Sequence, residues 1–242
     1  MTTRYKTKAF IFKKNDRNEA DRLFSTFTND FGRVDIFAKA IRKGASKLRG
    51  GIDIFFISEI EFIQGKNKKT LTDAVVIKKF DNIFQDAEKF KIANRISEVL
   101  DNFIRGEERD ENLFNLLYEV FDKLNSEKLN KKNNVFVYYY FLWNALSLLG
   151  YHQEVKKCTN CEEKLIPHDI HFSNKEGGVI CKGCLCKDMS AQKINSDVVK
   201  ILRIILAKDW TTLSKLKVEE SSQKLLESIS ESVVYTSCPV HC

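Results

Sequence analysis

Two periodicities divide this chain. Through the first eighty residues apolar side chains alternate with polar ones or fall in short blocks, as in strands. Tyr5 to Lys13 is rich in β-forming residues, and Asp21 to Thr28 is a second such block. From Gly32 a third run sets Val34, Ile36, Ala38 and Ala40 against Arg33, Asp35 and Lys39. Ile52 to Ile63 alternates through Ile54, Phe56, Ser58, Ile60 and Phe62. Gly65 to Lys69 then supplies a hairpin turn, and Leu71, Asp73, Val75 and Ile77 mark a last strand. Five strands with no helix between them predict a small closed β-barrel such as the OB-fold, with a β-sandwich fragment as the structural alternative.

Beyond residue 80 the period becomes that of a helix. Phe90, Ala93, Ile96, Leu100 and Phe103 mark one helix, and Leu113, Leu116, Val120 and Leu124 another. Val135 to Leu149 is apolar almost throughout and predicts a central buried helix closed by Gly150. It is too short for a membrane span and carries Asn144 and Ser147. Val198 to Leu206 and Gln223 to Val234 predict two more helices. Only two prolines occur, and no low-complexity linker or repeat separates the segments. The expected architecture is α+β: an OB-fold barrel over residues 1–80, then a helical domain over 81–157 and 188–242. A four-cysteine zinc ribbon over 158–187 is inserted in the helical domain.

Charge changes the picture of the first segment. The chain carries +7 overall, but residues 1–80 hold 18 Lys and Arg against 9 Asp and Glu, leaving 22 against 24 for the rest. The excess sits wholly in the barrel, which points to a polyanion-binding surface rather than to uniform solubilising charge. Lys39, Arg42, Lys43, Lys47 and Arg49 fall within eleven residues that contain no acid, where the third strand runs into a Gly-bearing loop. Mobile cations of this kind suit phosphates, which demand no strict geometry. Phe37 and Phe55 are candidate stacking platforms, although most phenylalanines at such spacing belong to a core. Asp16, Glu19 and Asp21 could in principle hold a hydrolytic metal; neighbouring Arg17 and Arg22 make ion pairing the better reading.

The cysteines carry the sharpest motif. Cys158-x2-Cys161 and Cys181-x2-Cys184 match two metal-binding knuckles with an intervening segment of ribbon length. The N-terminus MTTRYKTKAF lacks the apolar run and cleavage site of a signal peptide, so a reducing cytoplasm is expected, where paired cysteines favour metal over disulfides. A redox CxxC would open a helix after a strand, whereas two matched pairs here flank a predicted hairpin with Gly177 and Gly178 at its turn. Four thiolates close a tetrahedral shell, so the reading is one structural Zn2+ per chain, its negative charge offset by Lys156, Lys157, Lys164, Lys182 and Lys187. His168 and His171 are read as decorating the hairpin. Cys186 is spare, and Cys238, His241 and Cys242 raise a second metal site that a frayed C-terminus explains more simply. No phosphate-binding G-x-x-x-x-G-K-[ST] loop occurs, so no nucleotide cofactor is expected, and no catalytic constellation competes.

LSLLGYHQEVKKCTNC followed by HFSNKEGGVICKGC resembles the zinc module of the bacterial recombination mediator family RecO, and NEADRLFSTFTNDFGRVDIFAKAIRKGASKLRG resembles that family's opening barrel. The likeness covers nearly the whole chain in the same order. One departure is Ala40, where the family usually has glycine before the basic cluster. The resemblance implies a non-enzymatic, nucleoid-associated DNA repair protein. Such a protein binds single- and double-stranded DNA, anneals strands without ATP, and works with the partner RecR. Together they load RecA onto strands coated by single-strand-binding protein. Arg203 and Lys208 are candidate rim charges for that protein's acidic tail. The competing readings are a zinc-ribbon RNA-binding or accessory factor built on an OB-fold, and an enzyme with a structural zinc.

Overall fold

The computed structural model describes residues 3–127 and 133–237, and the chain divides into two compact units, residues 1–128 and 129–242.

In the first unit, β1 (Arg4–Arg17), β2 (Asp21–Thr28), β3 (Gly32–Ala38), β4 (Ile57–Gln64) and β5 (Lys69–Lys78) close into a barrel in the order β1-β2-β3-β5-β4. Every pairing is antiparallel except the one that seals the barrel, where β3 runs parallel to β5 at Ile36↔Lys69 and Phe37↔Thr70. This is the OB-fold arrangement. The interior is filled by Ile11, Phe24, Val34, Ile36, Ile60, Phe62 and Leu71, joined by Ile41 and Ile52 from the β3–β4 connection.

Three strand expectations need correction. The third strand stops at Ala38, because Ala40 lies in the left-handed region with φ +53°. The fourth begins at Ile57 rather than Ile52. Ahead of it Phe55 turns at φ +60° and docks on β1, its N–H donating to Ile11 O at 2.7 Å. In β5 a register shift opposite Glu61 and Phe62 swaps the faces, so Leu71 and Ala74 point inward while Val75 and Ile77 stand outside. A period-two count cannot foresee a bulge, which moves every later side chain to the other face.

Helices α1 (Asp81–Phe84), α2 (Ala87–Phe103) and α3 (Glu111–Asn125) complete this unit. Asp86 and Asp110 cap α2 and α3, accepting backbone N–H groups at 2.9 Å. The apolar stripe of α2 runs through Ile92, Ala93, Ile96, Leu100 and Phe103, but Phe90 is partly exposed. Lys89 is the buried neighbour instead, its Nζ donating to Ser126 O at 2.9 Å just past α3. The Arg33 guanidinium on β3 donates to Asp101 O at 3.0 Å, Ile104 O at 2.9 Å and Asp101 Oδ1 at 2.7 Å. A cation thereby satisfies the carbonyls at the C-terminus of α2 and fixes that helix to the barrel.

The second unit is built on α4 (Asn134–Leu148), buried from Phe136 to Leu146 on every side. Its end is a Schellman turn: Gly150, at φ +91°, donates to Ser147 O, and Tyr151 N–H returns to Leu146 O at 2.9 Å. Around it lie α5 (Ser196–Leu206), α6 (Trp210–Leu213) and α7 (Glu220–Ser237). Two polar side chains of α4 are partnered, Trp143 Nε1 by Ser230 Oγ at 3.1 Å and Asn144 Nδ2 by Ile205 O at 3.0 Å. Between α4 and α5 a small sheet, order β7-β6-β8, comprises β6 (Ile170–Ser173), β7 (Gly178–Cys181) and β8 (Gln192–Ile194). The third of these strands was not anticipated from the sequence. Among the described residues no helix is long and apolar enough to cross a membrane.

Candidate metal centre and nucleic-acid surface

Cys158 and Cys161 lie in the turn before β6, Cys181 ends β7, and Cys184 follows in a 3-10 turn over Lys182–Lys187. Their four Sγ atoms all lie within 4.8 Å of one another, and Cys161 and Cys181 are 3.8 Å apart. That separation is far beyond the ~2.05 Å of a disulfide. It agrees with the ~3.8 Å edge of a tetrahedron whose metal–sulfur bonds are ~2.3 Å. The donor set therefore fits zinc.

Local backbone geometry builds the first knuckle. Cys158 N–H donates to Glu163 O and Glu162 N–H to Cys158 O, both at 2.9 Å, with Glu162 at φ +62°. Thr159 N–H reaches Val179 O at 3.0 Å, tying the knuckle to β7. Gly178 permits a close backbone approach, since a Cβ there would sit 2.2 Å from Glu154 O. Arg203 of α5 holds the segment from the other side, donating to Val155 O at 2.8 Å and Lys156 O at 3.1 Å. Its guanidinium therefore binds the knuckle's own backbone while the residue stays exposed.

The thiols titrate as a cluster of like charges. Burial works against ionisation of Cys158, but N–H groups of Cys161, Cys181 and Asn160 outweigh it and bring its pKa to about 6. Burial and the neighbouring thiols push Cys184 up to about 12. One negative charge is readily held and further ones are opposed, the electrostatic condition that a divalent cation relieves. Two of the lysines expected to offset that charge are engaged elsewhere, Lys157 with Glu162 at 2.6 Å and Lys182 with Asp169 at 3.6 Å. Cys186 lies outside the four-sulfur group. His171 stands on β6, where burial lowers its pKa. Cys238, His241 and Cys242 lie outside the described residues.

At the barrel, Lys39, Arg42, Lys43, Lys47 and Arg49 are all exposed. They share the β3–β4 connection, whose Ile41 is buried in the barrel core with Leu48 packed partly buried against it, while the cations between them face water. Of the five, only Arg42 meets a carboxylate among the described residues, Asp16 at 3.4 Å. Of Asp16, Glu19 and Asp21, only Asp16 is ion-paired among the described residues, and with Arg22 and Arg42 rather than Arg17. Asp16 binds Arg22 at 2.7 Å, and Asp21 accepts Ala40 N–H at 2.8 Å. That backbone donor, followed by Asn18, lowers the Asp21 pKa.

Sequence reasoning missed the second loop at this end. The parallel β3–β5 pairing brings the β4–β5 turn alongside, so Lys68 Nζ lies 3.8 Å from the Phe37 ring centroid. Lys39 and Lys68 both act on the Asp21 carboxylate. The Gly65 to Lys69 stretch was legible as a hairpin, but nothing local reports which loop it faces. Phe55 is fully buried against Phe84, Phe90 and Phe121, which removes it as a stacking platform. Phe37 remains half-buried on the outer face.

Comparison with known proteins places this arrangement. Residues 1–80 match the family model described as Recombination protein O N terminal, and residues 85–234 match Recombination protein O C terminal. The chain is 32% identical over 223 residues to the DNA repair protein RecO of Dehalococcoides mccartyi, covering 92% of this chain and 86% of that protein. It is 28% identical to the DNA repair protein RecO of Caldanaerobacter subterraneus, with 91% and 89% covered. The corresponding protein of Desulforamulus reducens is 26% identical, with 95% and 88% covered. A barrel bearing an exposed basic loop, a helical unit and a four-thiol cluster thus stand together in a chain that belongs to the RecO family of DNA repair and recombination proteins.

Proposed function

We propose that this protein binds DNA through its barrel, anneals complementary strands, and with RecR helps load RecA onto single strands coated by single-strand-binding protein. The observation that carries the reading is the β3–β4 loop: four of its five cations face solvent with no carboxylate in ion-pair contact among the described residues. A phosphate chain supplies the missing charges, and the released counterions drive association without base recognition. The OB-fold commonly holds oligonucleotides on its β2–β3 face and in its β1–β2 and β4–β5 loops, and the basic loop leaves the end of β3 on that face. Contacts with RecR and with the acidic tail of single-strand-binding protein rest on the family likeness.

The four-cysteine cluster fits this function as a structural support. Cys158, Cys161, Cys181 and Cys184 would hold one Zn2+, which supplies cross-linking between the knuckle and β7 and closes its own shell to substrate. The deciding experiment is strand annealing by purified protein without ATP, with and without single-strand-binding protein and RecR. Acceleration of annealing of coated strands is expected. Preference for RNA, with no annealing of DNA, would favour the RNA-binding alternative and overturn the proposal.

A further inference from the structure

We infer that Phe37, covered by Lys68 at rest, is a stacking site that lets the barrel distinguish unpaired DNA bases from paired ones. The inference deepens the DNA-binding reading above and rests on it.

Phe37 is set apart along its own strand. On β3 the side chains of Val34, Ile36 and Ala38 enter the core, so Arg33, Asp35 and Phe37 share the outer face. At one end of that face Arg33 is locked beneath the end of α2. At the other end Phe37 pairs with Leu23 on β2 and Thr70 on β5, forming a narrow apolar strip. Three cationic or polar segments border this end. The basic loop begins at Lys39, the β1–β2 turn donates Asn18 to Asp21 at 3.2 Å, and the β4–β5 turn carries Lys66 and Lys68. Among the described residues the only charge lying on the ring is Lys68, 3.8 Å from its centroid.

A lysine over a partly exposed ring is held more weakly than a base stacked on the same ring. An arriving strand therefore displaces Lys68 from Phe37 and leaves its ammonium free to meet the neighbouring phosphate. Duplex DNA cannot make this exchange, because its bases are already stacked and paired. It would engage the loop cations alone. The same barrel end then reads charge in both kinds of DNA and base faces only in single strands, the discrimination an annealing protein requires before pairing and release.

The test compares Phe37→Ala with the wild-type chain for binding to an oligothymidine 20-mer and to a duplex of equal length, at several salt concentrations. Single-strand affinity is expected to fall about ten-fold, the scale of one lost base–ring stack, with an unchanged salt slope and duplex affinity altered less than about two-fold. Phe37→Leu, which keeps the apolar bulk on the barrel, should show the same loss and guards against a folding defect. Phe37→Trp should restore binding, and its fluorescence, corrected for Trp143 and Trp210 by subtracting the wild-type signal, should be quenched by the single strand. Equal loss on both DNAs, or none on either, would overturn the inference. A wild-type protein that binds neither DNA would overturn the DNA-binding reading itself.

Discussion

The cysteine module and the basic loop are both clusters of like side chains, yet they impose opposite demands on the chain. At the module, thiols from positions 158 to 184 converge until all four sulfurs lie within 4.8 Å of one another. Their meaning is collective, since three thiolates leave an incomplete shell. Backbone bonds, a left-handed Glu162 and the Gly178 contact all serve that convergence. At the loop, five cations spread over eleven residues need only to remain outside, and Ile41 and Leu48 achieve this by anchoring the segment to the barrel. One cluster should therefore fail all at once, and the other by degrees.

Cys158→Ser is the strongest way to break that contrast. Cys158 is fully buried and receives the Cys181 N–H on its sulfur at 3.4 Å, so a hydroxyl there loses both the ligand and its setting. Elemental analysis of zinc-replete protein is expected to fall from one zinc per chain to nearly none. Chemical denaturation should show a loss of about 3 kcal/mol or more, because metal binding and local folding are coupled. Cys186→Ser, outside the sulfur group, should retain full zinc and stay within about 0.5 kcal/mol of wild type. Stoichiometric zinc in Cys158→Ser would refute the four-thiolate site.

The loop should respond in increments. Reversing Arg42 and Lys43 to Glu is expected to weaken binding to single strands at least about ten-fold at moderate salt, whatever the base sequence. The log–log salt slope should flatten by about 1 to 2 units, given roughly −0.7 per phosphate neutralised. Folding should change by less than about 1 kcal/mol, since Arg42 has one partner, at 3.4 Å, and both side chains are about half exposed. An unaltered slope in the folded double variant would move the DNA site elsewhere.

These two regions were also unequally legible. The cysteine spacing announced its geometry because coordination chemistry leaves few alternatives, and the four residues converge as the spacing requires. The barrel was legible as five strands because Val34, Ile36, Ile60 and Phe62 keep a period of two. The sequence was silent where long-range pairing decides. The β3–β5 contact that sets Lys68 on Phe37 is a short parallel pairing between strands distant in sequence, and the shift in β5 that exposes Val75 and Ile77 follows from a bulge. Charge alone could not separate working cations from structural ones. Arg203 and Arg33 look like surface charges in sequence, yet both bind backbone carbonyls. Lys89 likewise occupies a place that the helical pattern assigned to Phe90.

The smallest expected effect sharpens the comparison at a single residue. Ala40 opens the basic loop at φ +53°, with its N–H on Asp21 Oδ1 at 2.8 Å. An L side chain in that region costs roughly 1–2 kcal/mol, whereas glycine adopts it freely. Glycine also gains freedom in the unfolded chain, which returns about 0.5–1 kcal/mol of that benefit. Ala40→Gly should therefore stabilise the barrel by about 0.5 kcal/mol, read as a higher urea midpoint at constant slope of free energy with denaturant. Because no charge is changed, the DNA salt slope should stay at its wild-type value. A shifted slope would mean that the loop's backbone path, and not only its charge, is read by DNA, and the loop would then resemble the cysteine module more closely than its exposed cations suggest.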